Sequence, residues 1–224
     1  MSRELPTDHS RVAVWDLPLR LFHWSLAVAV IVSIVAVEIL DDIDLHLRSG
    51  QIVLGLLIFR IVWGVVGSST AQFHRFIKGP SAVIATLKGQ EPTDHGHNPL
   101  GALSVVAMLV CLIVQVLTGL ASDDEIFTTG PLVQYLSASQ VSWANQIHDW
   151  NSKILFFLIG LHLAAIAYYG LAKKRNLIWP MVVGSTNGNA DKTPDTADLR
   201  FSPTWLAILV AIIASVIAWW VFTL

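Results

Sequence analysis

Four histidines stand in strongly apolar surroundings in this chain: His23, His46, His148 and His162. An ionisable side chain within a membrane segment is costly, which makes each a candidate for function. The stretch from Ile147 to Tyr169, IHDWNSKILFFLIGLHLAAIAYY, carries two of them fourteen residues apart. On an α-helix that spacing is about 21 Å along the axis and about 1400° of rotation, about 40° short of four turns. Both imidazoles therefore leave one face at two depths, and such a helix can hold two cofactors, one above the other. Imidazole is a ligand of haem iron, and two imidazoles on one iron leave no open position. Such a haem carries electrons and does not bind oxygen as a globin does.

Composition sets the medium. The 224 residues are 54% hydrophobic and 13% charged, which is the composition of an integral membrane protein. A single cysteine, Cys111, excludes a disulfide framework, an iron–sulfur cluster and covalent c-type haem attachment. Any haem would be b-type, held by side-chain ligands and packing. There is no basic stripe or nucleic-acid motif, so nucleic acid is not an expected partner. The first apolar run is too long for a signal-peptide core and no A-x-A-like site follows it, so it is expected to remain as a span.

The elements that must position the histidines follow from hydropathy and breakers. Residues 1–17 read as a polar tail, with Asp16 and Pro18 as cap and first-turn proline. Spans are expected at about residues 18–40, 45–66, 99–120, 141–172 and 204–222. The second span contains Gly50, Gly55 and Gly64, which allow close approach by a neighbour or a flat ligand. A short amphipathic helix, GPSAVIATLKG, is expected on the membrane surface between the second and third spans. STNGNADKTPDTADLRFSP reads as a flexible polar linker. The domain reading is a tail over 1–17, a four-helix di-haem domain over 18–184, a linker over 185–202 and an extra span over 203–224. The last has no charge and no histidine and is expected to dock a partner subunit or a second copy.

The lysines and arginines of the tail and of the second and fourth connections share one side: Arg3, Arg11 and Arg20 in and beside the tail, Arg75, Lys78 and Lys88 in the second connection, and Lys173, Lys174, Arg175, Lys192 and Arg200 in the fourth. The positive-inside rule makes the N-terminus cytoplasmic and, after five spans, the C-terminus periplasmic. Trp15, Trp63, Trp143, Trp150, Trp179 and Trp205 are expected at the interfaces as an aromatic belt.

This topology pairs His46 with His148 near the outer side and His23 with His162 near the inner side, as two bis-histidine sites. One turn after three of the ligands stands a small residue, Ala27, Gly50 or Ser152, where a porphyrin edge needs room; after His162 only Ala165 is small. His23 lies about 5 Å from Arg20 along its helix, whereas His162 lies about 16 Å from Lys173. Equal depth therefore requires the fourth span to run past the headgroups.

Other residues carry two readings each. Arg60 either snorkels to the interface or meets an inner-haem propionate or a quinone headgroup, and Lys153 could reach an outer propionate. Gln115 reads as an interhelical hydrogen bond ahead of a quinone ligand. His97 reads as a capping or inner-face quinone contact ahead of a ligand, and His9, His74 and His95 as solvated. Asp123, Asp124 and Glu125 form an acidic outer patch, either simply solvated or able to dock a basic electron carrier.

The same stretches resemble the bacterial cytochrome b561 family and, within it, the b-type cytochrome subunits of nickel-iron hydrogenases. They are VWDLPLRLFHW, HLRSGQIVLGLLIFRIVWGVVGS, HNPLGALSVVAMLV and IHDWNSKILFFLIGLHLAA with the trailing NLIWPMVVG, over roughly residues 12–184. The resemblance implies an all-α integral membrane fold, a four-helix haem-binding bundle here followed by a fifth C-terminal transmembrane helix. It implies two b-type haems on His23, His46, His148 and His162, in a bacterial inner (plasma) membrane. Electrons would pass between a quinone pool and a redox partner protein or subunit at the outer face. The alternatives are a stand-alone quinol or superoxide oxidoreductase and, below both, a histidine-relay metal or proton transporter. Glu38 and Asp149 are the only carboxylates within the expected spans that such a relay could use.

Overall fold

The structure, a computed structural model, describes residues 11–77, 79–88, 99–123, 128–187 and 200–224. Its helices are α1 (Leu17–Glu38), α2 (Ile43–Val66), α3 (Phe73–Phe76), α4 (Pro80–Leu87), α5 (Pro99–Leu120), α6 (Ala138–Leu171), α7 (Ile178–Val183) and α8 (Thr204–Val221). Five of them, α1, α2, α5, α6 and α8, are long and apolar enough to cross a membrane.

Local chemistry fixes the ends. Asp16 caps α1, its Oδ1 accepting from the Leu19 N–H at 2.7 Å, and Pro18 sits in the first turn. Asp41, with φ of 50°, turns the chain between α1 and α2, a backbone region that Asp tolerates better than most residues. Asp42 then caps α2 by accepting from Leu45 N–H at 2.9 Å. The sixth helix starts earlier than hydropathy indicates, because Ser137 and Gln140 form a capping box upstream of the apolar run. Its 34 residues extend about 51 Å, well beyond a hydrocarbon core of about 30 Å.

The spans form two close hairpins, α1 with α2 and α5 with α6, joined through α2 against α5. One core, around Leu19, Phe22, Phe59 and Trp63, joins α1 and α2 to α8; the other, around Ala29, Val53, Leu57, Leu112 and Leu155, joins the two hairpins.

Two expectations are revised, and α8 gains a contact within the chain. The end of the tail and the start of the linker are ordered together, since Arg11–Ala13 (β1) pairs antiparallel with Ser185–Asn187 (β2). Trp63 is not in an interfacial belt: it is 0% exposed and its Nε1 donates to Asp16 Oδ2 at 3.0 Å. Trp143, Trp150, Trp179 and Trp205 are exposed as expected. The small-residue stripe of α8, Ala207, Ala214 and Ala218, is buried against α2 of its own chain, with Ala218 Cβ 3.5 Å from the Cβ position of Gly55. Serine hydroxyls secure the start of α8: Ser68 Oγ accepts from Ser202 N–H and Ser69 Oγ from Arg200 N–H, both at 3.0 Å.

Candidate functional site

His46 enters from α2 and His148 from α6, and their ring centroids stand 6.3 Å apart with planes at 82°. His46 Nδ1 lies 3.0 Å from the main-chain carbonyl of Ser33 on α1, and His148 Nδ1 lies 3.0 Å from that of Gln115 on α5. A carbonyl only accepts, so each Nδ1 carries the proton and each Nε2 keeps its lone pair. This is the outer-shell arrangement that orients metal-bound imidazoles. Hydroxyls of Ser33 and Thr118 add contacts at 3.0 and 3.2 Å. Imidazole nitrogens sit about 2 Å from a first-row metal, and adding about 1.1 Å to each ring centre gives about 6.2 Å between centroids across one ion. The observed separation matches.

Glycines leave space here. A Cβ on Gly119 would stand 3.0 Å from His148 Cε1, whereas one on Gly50, a turn after His46, would meet nothing within 4 Å. Gln115 has the interhelical role expected of it: its Nε2 donates to the His148 carbonyl at 3.1 Å and its Oε1 accepts from Asn151 Nδ2 at 2.6 Å. Asn151 is the residue sequence reading missed; it also donates to the Cys111 carbonyl at 2.9 Å and ties α6 to α5. It lies three residues after His148, on the same face, which was a readable signal.

The second pair lies at the opposite end of the bundle, where α1 begins. His23 on α1 and His162 on α6 are both half-buried and within electrostatic reach of each other. The His23 Nδ1 is buried and has no hydrogen-bond partner among the described residues. Trp24 packs edge-on to His23 at 5.0 Å and donates Nε1 to the Met181 carbonyl of α7 at 3.2 Å. Arg20 Nη1 donates to the neighbouring Val182 carbonyl.

The remaining candidates divide. Arg60 is 2% exposed; its Nη1 donates to the Ala71 carbonyl at 3.1 Å and its guanidinium lies over Phe73 at 4.3 Å, so it clamps the turn after α2. Asp16 also acts on it electrostatically. Lys153 is exposed, pairs with Asp149 at 2.8 Å and lies over Trp150. Five residues of helix turn it about 140° away from the direction of His148. Asp123 is tied through its main chain to Asn145 at 2.9 and 3.2 Å. His74 is exposed. His9, His95, His97, Asp124 and Glu125 lie outside the described residues.

The family model for prokaryotic cytochrome b561 matches residues 14–184. The chain belongs to the prokaryotic cytochrome b561 family. No curated protein and no solved structure matches the chain. As a cytochrome b561, the chain is a multi-pass bacterial membrane protein, a b-type cytochrome of electron transfer. The match contains all four histidines and ends at Gly184, before α8. Among the described residues no group of three or more His, Cys, Asp or Glu is placed to hold a bare ion. Paired imidazoles suit an iron whose other ligands come from a macrocycle, and the residues at the His46–His148 pair fit a b-type haem of this family.

Proposed function

We propose that this cytochrome b561 carries two b-type haems, one on His46 and His148 and one on His23 and His162, and passes electrons between a quinone pool and a redox partner. The observation that carries this reading is the His46–His148 geometry, with both Nδ1 protons committed to carbonyls and both Nε2 atoms left as ligands. Haem, when bound, supplies one-electron chemistry at iron. The protein's share is to hold, orient and keep dry. Ser33 and Gln115 fix the rings, and the apolar faces of α2, α5 and α6 exclude water. The fourteen-residue spacing on α6 sets the two sites about 21 Å apart along the helix.

In this reading the N-terminus faces the cytoplasm, so the His23–His162 pair is the inner one and the partner docks at the side of the α1–α2 turn. An apolar groove of about 170 Å³ between α2, α5 and the α3 segment, lined by Leu57, Ile61, Phe73, Val106 and Leu109, suits part of a quinone tail. The test is haem per chain, as the pyridine haemochrome, together with reduction of the purified protein by a short-chain quinol followed at the α band. Two haems per chain and quinol-driven reduction are expected. Protein with no haem overturns the cytochrome reading, and full haem that quinol leaves oxidised overturns the quinone assignment.

A further inference from the structure

We propose that Arg20 is the positioning residue that holds a propionate carboxylate of the haem on the His23–His162 pair. The proposal rests on the bis-histidine reading above.

Arg20 stands three residues before His23 on α1, one turn nearer the end of the bundle and about 60° round the helix. It is the cation nearest that histidine along the chain. Its hydrogen bonds are incomplete: Nη1 donates to the Val182 carbonyl, while among the described residues the buried Nε has no acceptor. A buried N–H left unmade is expensive, so an acceptor from outside the described residues is favoured here. The nearest carboxylate along the helix, Asp16, is already engaged, Oδ1 by Leu19 N–H and Oδ2 by Trp63 Nε1.

The backbone is shaped around the same group. Gly184 has φ of 86°, and a Cβ there would lie 3.0 Å from Arg20 Cζ and 3.1 Å from its Nε. Any side chain there would sit on a positive-φ backbone and push the guanidinium or the Trp15 carbonyl away by a few tenths of an ångström. Guanidinium binds carboxylate through paired, charge-assisted N–H donors, and the propionates are the anionic part of a haem. Arg60, the other arginine at this end of the spans, is committed to Ala71 and Phe73.

The test uses the full chain with Arg20→Gln, Arg20→Lys and, as a control, Asn176→Ala. Asn176 Oδ1 accepts from Ile178 and Trp179 N–H at 3.0 and 2.9 Å at the start of α7, so its loss perturbs the same short helix while keeping the Arg20 side chain and its charge. Haem per chain and a spectroelectrochemical titration are read, the relevant component being the one missing from His162→Ala. Removing a cation beside iron disfavours the reduced state. Arg20→Gln is expected to raise the oxidised-to-reduced ratio of that component about tenfold at fixed ambient potential, about 59 mV for one electron, or to lose that haem. Arg20→Lys restores it and Asn176→Ala leaves it unchanged. An unshifted component with full haem in Arg20→Gln overturns the proposal, as does Asn176→Ala reproducing the Gln effect while Lys fails to rescue. A wild-type chain lacking the second component overturns the bis-histidine reading and this proposal with it, and is recognised before any variant is made.

Discussion

His148 gives its Nδ1 proton to the main-chain carbonyl of Gln115, one helix away, at 3.0 Å. His46 does the same to Ser33 on the other hairpin. Each hairpin thus sets the tautomer of its own histidine, and the two rings stand 6.3 Å apart between the hairpins. Because the acceptors are backbone atoms, no side-chain substitution at Ser33 or Gln115 removes them directly. The sensitive positions are those that let the rings reach those carbonyls.

Gly119 is one. A Cβ there would stand 3.0 Å from His148 Cε1 and 3.4 Å from Nδ1, and the branches of a valine would displace the ring. Gly119→Val is expected to cost about half of the haem per chain while the component that depends on His162 persists. Quantitative pyridine haemochrome, with optical redox titration, checks it.

Asn151 bridges α6 to α5 through the Cys111 carbonyl and Gln115 Oε1. Interhelical hydrogen bonds inside membranes contribute about 1 kcal/mol. Asn151→Leu is expected to lower the unfolding temperature of the detergent-solubilised protein by several degrees, with His46 and His148 still binding haem at lower occupancy. A thermal melt followed at the Soret band and by far-UV circular dichroism separates the two effects.

Trp63 and Asp16 join α2 to the start of α1. Trp63→Phe keeps the ring and removes the donor to Asp16 Oδ2, leaving a buried carboxylate oxygen without that bond, at a cost of about 1–3 kcal/mol. The expected result is reduced thermal stability with unchanged haem per chain, measured on the same sample.

Ala214 is 1% exposed in the α2–α8 contact. Ala214→Leu overfills that contact and is expected to destabilise it by about 1–3 kcal/mol. Limited proteolysis near residues 200–203 should accelerate while the haem spectrum stays as in the wild type, because α8 lies outside the matched family region and carries none of the four histidines.

The spans were legible because apolar runs and caps are local signals: Asp16 and the proline at 99 mark helix starts that the structure shares. His46 and His148 stand close together, as alternating span direction implies. Contacts that bring distant polar groups together were not legible. Arg20 and Trp24 reach carbonyls about 160 residues away, and no periodicity announces that α7 will lie over them. Trp63 read as interfacial because a tryptophan near a span end usually is; its partner Asp16 read only as a cap, although the carboxylate has two oxygens and serves both. The last span read only as uncharged and without histidine; that its alanines meet Gly55 became evident only when α2 and α8 were set side by side.

The central claim is that two histidine pairs hold two haems independently. It is tested most directly by haem per chain and the dithionite-reduced minus oxidised spectrum of wild type, His46→Ala and His162→Ala. Two haems in the wild type, about one in each variant, and a different spectral component lost in each are expected. A single haem in the wild type, or two variants that lose the same component, would contradict it.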